Sequence, residues 1–315
     1  MSADYDAIRL GTAPDSWGVW FPDDPKQVPW HQFLDEAAEA GYEWIELGPY
    51  GYLPTDPGQL ADELGRRNLR LSGGAVFAGL HRGKEALQQA VEDCRTEARL
   101  LTALGARHLV LLPEGYTDLD GNLTQPVDLT PAQWSDLTGG MDELAKVIAD
   151  EFDVSLVFHP HADSHVGTQA EVERFLADTD PALVNLCLDT GHISYCHGDN
   201  LELITRYPER IGYVHLKQVD PQVLERVDEE GLCFAAAVRL GAMTEPPNGI
   251  PAMQPLIDAL AELQVDLFAI VEQDLYPCER DVPFPIAKRT QQYLGACGLG
   301  PGHRRTAVIT ERRDT

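Results

Sequence analysis

A chain of 315 residues with 43% apolar side chains is long enough to fold as one large α/β barrel or two average domains, and 24 basic against 51 acidic residues give a formal charge of −27. That acidity opposes phosphate backbones, which excludes nucleic acid as an expected partner, and no apolar run approaches the ~18 residues of a membrane span. The start MSADYDAIRL lacks the charged and apolar regions of a signal peptide, and the six cysteines form no CxxC pair, so a cytoplasmic protein with free thiols is expected.

Strand and helix patterns alternate along the chain. Residues 7–12 read as a first strand, followed by the loop APDSWGVWFPDDP and a helix over 30–40 stopped by Gly41. Residues 44–47 form a second strand with Glu46 near its exit, and a helix over 57–67 begins at Pro57 with Asp56 as its cap. A strand over 69–77, a long helix over 85–104, a strand over 108–112 and a helix over 131–150 follow. The fifth strand, 154–158, runs into HPHADSHVGT and a helix over 169–177; the sixth, 184–188, ends in LDTGH. A short helix over 201–206 leads to the seventh strand, 211–216, with His215 at its carboxyl end. An insertion over about 218–250 is a candidate lid, and a helix over 253–263, an eighth strand over 266–271 and a helix over 285–294 complete the pattern.

Eight strand-helix units without a linker predict a single (β/α)8 TIM barrel over residues 1–300, with 301–315 as a mobile polar tail. The GxGxxG fingerprint of an open dinucleotide-binding sheet is absent. In such barrels the site is built from strand carboxyl ends and the loops after them. Polar residues there are Glu46, His81, Glu114, His159, His161, Asp189, His192, His215, Lys217 and Glu272. Asp189, His215 and Glu272 each follow an apolar strand, where a charge is costly to bury unless it is paired or bound to metal, so this trio is expected to hold a divalent cation. A fourth ligand has two candidates: His159 at the end of the fifth strand, and Glu171 one helical turn later. Thr168 and Glu171 also match a capping box, in which the glutamate only returns to the cap backbone. A carboxylate would suit manganese or magnesium and leave positions open for substrate oxygens.

The motifs HPHxxxxVGTxxE, LDTGH, HLK and VEQD, in that order, resemble the sugar phosphate isomerase/epimerase family of xylose isomerase-like barrels over about residues 8–294. GTAPDSWGVW, IELGPYGYLP and VFAGLH are similar to its inosose dehydratase branch. The resemblance implies one divalent ion, Mn2+ before Co2+, Zn2+ or Mg2+, held by Asp189, His215, Glu272 and a ligand from the segment after the fifth strand. Relatives often place a glutamate where this chain has His159, and Glu171 is favoured over His159 as the substitute. The implied activity is enediolate chemistry on a small sugar or cyclitol, in inositol catabolism: dehydration of 2-keto-myo-inositol first, 3-epimerisation or aldose-ketose isomerisation second, and a non-catalytic sugar-binding barrel third.

Glu171 or Glu272 would act as base, and His81, His161 or Lys217 as acid. Trp17, Trp20, Tyr50, Tyr52 and Phe77 are candidate walls for sugar CH surfaces, with Glu46, His81 and His192 as polar contacts to substrate. A homodimer is expected.

Overall fold

The computed structural model describes residues 3–300; the expected tail over 301–315 lies outside them. Eight parallel strands close into a barrel: Ile8–Thr12, Trp44–Pro49, Arg70–Ala78, His108–Pro113, Ser155–Phe158, Asn185–Asp189, Ile211–Leu216 and Leu267–Val271. They are called the first to eighth strands below. Closure is made by the first strand against the eighth, in register from Ile8 opposite Leu267 to Thr12 opposite Val271.

Local sequence chemistry sets the element ends. Gly41, at φ 99°, stops the helix Trp30–Ala40. Asp56 accepts from the Gln59 amide and Pro57 opens the helix Pro57–Gly65. Thr130 and Gln133 form a full capping box on Pro131–Phe152. Most boundaries move by only one or two residues from the expected ones. The sixth strand differs in a way that matters, because it includes Asp189 and turns directly into a short helix, Thr190–Tyr195, not foreseen from the sequence. Asp189 caps this helix, its Oδ1 accepting from the Gly191 and His192 amides at 2.8 Å each. Oδ2 is left for the barrel interior.

The main core lies between strands and helices, with residues such as Phe33, Leu60, Leu101, Met141, Phe175 and Ile257 buried in one continuous cluster. Inside the barrel, Val110, Val157, Cys187, Tyr213, Phe268 and Ile270 make a separate apolar plug. The insertion is ordered: Gln218–Val219 pairs antiparallel with Met243–Thr244, and the helices Pro221–Glu230 and Phe234–Arg239 lie between them. Leu224, Val227, Phe234, Ala237 and Met243 give it a small core of its own. No helix among the described residues is long and apolar enough to cross a membrane.

Candidate metal centre and substrate cavity

Strand alternation carries the plug upward into a polar layer. Cys187 and Tyr213 belong to the plug, so Asp189 and His215, two residues further along the same strands, face the same interior. The register sets Asp189 beside His215, and Ile270 beside His215, which brings Glu272 to the same level. His159 follows the fifth strand directly, its amide donating to the Leu111 carbonyl. One donor atom from each of His159, Asp189, His215 and Glu272 lies within 4.8 Å of all the others.

The donor set fits a divalent ion. The Nδ1 atom of His159 is buried without a hydrogen-bond partner. His215 Nδ1 stands 3.0 Å from Glu272 Oε2 and 3.8 Å from Asp189 Oδ2, and His159 Nε2 lies 3.4 Å from the same aspartate oxygen. His215 Nε2 is 3.0 Å from Glu46 Oε2, so buried Glu46 accepts its N–H and turns Nδ1 toward the cluster. Burial alone would strip the His215 ring of a proton. Cys187, Glu272 and Glu46 outweigh it and raise the imidazole well above its ordinary value. Cys187 could join His159 and His215 in a second grouping of donors, but burial pushes its thiol to about 12. The two carboxylates are the better anionic ligands at neutral pH.

Lys217 is the cation of the site. Its buried Nζ is 3.1 Å from Asp189 Oδ2, 3.1 Å from Glu272 Oε2 and 2.8 Å from Asp274 Oδ2. Burial works against the ammonium, but these carboxylates overcome it and raise its pKa well above the ordinary lysine value. Its stem passes so close to the sixth-strand exit that a Cβ at position 191 would sit 2.4 Å from Lys217 Cγ, which is why LDTGH carries glycine there. Thr190 Oγ1 locks the same junction, donating to the Lys217 carbonyl at 2.7 Å. Beside it His192 Nδ1 accepts from the Ala162 amide at 3.2 Å, and the His161 ring packs 4.0 Å from that of His192. His161 Nδ1 donates to the Ala162 carbonyl at 2.6 Å, which leaves Nε2 as an acceptor. Burial lowers both rings, His161 to about 4 and His192 well below its ordinary value, so both are neutral at physiological pH.

Above this layer opens a cavity of ≈ 300 Å³, walled by Trp20, Phe21 and Phe77 and by Phe234 and Ala235 of the insertion. Trp20 stacks on Tyr276 at 5.0 Å and on Phe234 at 6.5 Å, while its indole N–H donates to Asp274 at 3.0 Å. The insertion therefore supplies a wall of the site, pinned where the Phe234 amide donates to Asp163 Oδ2 at 2.8 Å.

Several sequence expectations need correction. Glu171 stands outside the cluster: its Oε2 accepts from the Gly167 and Thr168 amides at 3.1 and 2.9 Å, completing the capping box. His159 takes the fourth place. Trp17 is wholly buried and donates to Glu36, packed edge-on against Phe33, so it belongs to the core. Tyr52 is buried with its hydroxyl on the Val28 carbonyl, and neither it nor Tyr50 lines the cavity. His81 is hydrogen-bonded to Gln125 and packed on His165, away from the cavity, and Glu114 pairs with Arg82 at 2.7 Å. The other candidates, Glu46, Phe77, His161, His192, Lys217 and Glu272, line the cavity together with His159 and His215.

Three site residues escaped the sequence reading. Asp274 follows Glu272 by two in VEQD, and strand-like alternation could have found it. Phe234, inside an insertion, and Asp15, in the loop after the first strand, carried no periodic signal.

A family model described as a xylose isomerase-like TIM barrel matches residues 34–293. The chain belongs to this family. Among curated proteins it is 33% identical over 304 residues to an inosose dehydratase of Geobacillus kaustophilus, covering 93% of this chain and 96% of that protein. It is 32% identical over 297 residues to one of Lacticaseibacillus casei, covering 92% and 97%. Among solved structures, a probable 3-DHS dehydratase, AsbF of Bacillus anthracis, superposes with a TM-score of 0.67 at 16% identity, covering 91% of this chain and 98% of that one. A zinc-bound structure of an IOLI protein gives 0.66 at 15% identity, covering 92% of this chain and 96% of that one. At those identities the structural matches establish the shared barrel.

Proposed function

We propose that this member of the family is a divalent-metal-dependent dehydratase of an uncharged keto-cyclitol of the inosose type. At a coarser level it is a metal-dependent sugar- or cyclitol-processing enzyme. The observation that carries the reading is the buried His159, Asp189, His215 and Glu272 set, with Lys217 beside it, at the floor of a cavity the size of a small polyol. The named relatives, matched end to end, support the substrate class. The lining also supports an uncharged substrate: it contains no arginine, and its single lysine is already surrounded by carboxylates.

His159, Asp189, His215 and Glu272 would hold the ion, Mn2+ first because the two carboxylates and the substrate oxygens are hard donors, with Co2+ and Zn2+, which suit the two imidazoles, and Mg2+ as alternatives. When bound, it supplies Lewis acidity that stabilises negative charge developing on a ketone and its neighbouring hydroxyl. Proton transfer is the work of the chain. His161 presents a neutral Nε2 to the cavity and stands outside the ligand set, to which Glu272 is committed. His161 takes the α-proton. Lys217, held as an ammonium by Asp274, gives a proton to the departing β-hydroxyl, and Trp20 and Phe234 exclude water. An epimerase would use the same floor but return the proton to carbon.

The test is metal-loaded protein in deuterated water with a panel of keto-inositols and ketoses. Dehydration produces a conjugated product that absorbs in the ultraviolet, whereas epimerisation produces none. Lys217→Met is expected to keep deuterium exchange at the α-carbon while elimination falls by about 10²–10⁴. Equal loss of both steps would remove Lys217 from the acid's role.

A further inference from the structure

Of the cavity's carboxyl groups that the proposed chemistry leaves unused, Asp118 and Asp163 are held by donors of the fold, and Asp15 is not. It sits in the 3-10 turn Pro14–Trp17 and lines the cavity. Both of its carboxylate oxygens are buried and neither has a hydrogen-bond partner. The nearest cation, Lys217 Nζ, is 4.0 Å away, beyond hydrogen-bond reach, and is already held at 2.8–3.1 Å by Asp189, Glu272 and Asp274.

The turn cannot relax to relieve this. Pro14 is wedged against the second strand, where a Cβ on Gly48 would meet Pro14 Cγ at 2.6 Å. Ser16 bridges to the eighth strand, donating to the Val271 carbonyl at 3.2 Å and accepting from the Gln273 amide at 2.9 Å. Trp17 is buried in the core with its indole on Glu36, and the Gly18 amide closes the turn on the Asp15 carbonyl at 2.8 Å. Every neighbour of Asp15 is anchored, so its carboxyl is held over the cavity with no donor supplied by the described residues.

A fixed acceptor without a donor is costly in a folded protein, and a ligand that brings the donor recovers that cost on binding. The ligand must be rich in hydroxyls, since Glu272 and Asp274 would repel an anion, while burial and the nearby Glu272 raise the Asp15 carboxyl itself well above the ordinary carboxylate range. The carboxyl also lies outside the group of donors close enough to share an ion. We propose that Asp15 is a specificity-determining residue that forms hydrogen bonds with hydroxyl groups of the bound polyol, beside Lys217 and outside the set of metal ligands. This rests on the polyol reading of the site given above.

The experiment measures calorimetric binding of myo-inositol, which has no carbonyl and cannot react, to the manganese-loaded wild type, Asp15→Asn and Asp15→Ala. Metal content and melting temperature without ligand are recorded alongside. The expected result is full metal content in all three, affinity reduced at least tenfold in Asp15→Ala and less in Asp15→Asn, which keeps one acceptor oxygen, and a melting temperature for Asp15→Ala above that of the wild type. Removing an unsatisfied acceptor relieves the fold while weakening binding. Unchanged affinity in both variants overturns the assignment, as does a lowered melting temperature with unchanged affinity in Asp15→Asn, which would mean a structural pairing with Lys217. A metal-loaded wild type that binds no polyol overturns the substrate reading and this inference with it, an outcome distinct from binding that ignores position 15.

Discussion

Two histidines inside one barrel, His108 half-buried and His215 buried, meet opposite surroundings. At the amino end His108 opens the fourth strand beneath Tyr213 and Phe268, each with its ring centre 5.4 Å away, and its Nδ1 has no partner. Burial is the leading cause that lowers it to about 4, so the ring is neutral and behaves as a packed aromatic. At the carboxyl end His215 lies beside Asp189 and among Cys187, Glu272 and Glu46, and the last three raise it well above its ordinary value despite burial. One end settles its polar groups by neutrality. The other accumulates carboxylates, as an ion-binding end must, which is the division between stability and chemistry expected of this barrel class.

The contrast can be broken from either end. The largest effect is expected for Asp189→Asn, which removes the charge shared by Lys217, His159 and His215: elemental analysis should find the ion lost, and turnover should fall by roughly 10³ or more. Next comes His108. Its folded pKa of about 4 lies below the ordinary 6.5, so the unfolded chain takes up the proton first. Stability should therefore be full above about pH 6.5 and decline as pH falls toward 4, by up to about 3 kcal/mol from this residue. Denaturant unfolding of wild type and His108→Phe across that range checks the sign; identical slopes would show that the floor is not where the pH dependence arises.

Glu46→Gln keeps the shape of the side chain but weakens its hold on His215 Nε2, and should reduce metal affinity by about 10–100-fold in a competition titration with a chelator. Glu171→Ala is the smallest change: loss of the capping box should cost about 1 kcal/mol of stability and leave metal content untouched. Loss of the ion in that variant would return Glu171 to the ligand set.

What the sequence disclosed follows from where periodic structure ends. Asp189, His215 and Glu272 were legible because each terminates an apolar strand whose alternation says which way the next side chain points. His159 and Glu171 were equally good ligands on paper. Only the distance from the capped helix Gln169–Asp178 to the barrel axis separates them, and no local pattern encodes that distance. Trp17 and Tyr52 looked like sugar platforms because aromatics near strand exits have the same composition whether the loop folds inward to the core or outward over the cavity. Trp20 illustrates the other outcome, three residues from Trp17 on the same loop. Asp15 was invisible for a different reason, since an aspartate in a turn rich in proline and glycine reads first as a turn former.

The central claim is that the polar end of the barrel removes a proton from the carbon next to a ketone with the help of one bound cation. The most direct measurement is solvent-deuterium incorporation into a keto-inositol by protein first stripped with a chelator and then reloaded with manganese, followed by mass spectrometry and ultraviolet absorbance. The account predicts no exchange in the stripped protein, and exchange with a conjugated dehydration product after reloading. Full metal occupancy with neither exchange nor product across the panel of keto-inositols and ketoses would contradict it.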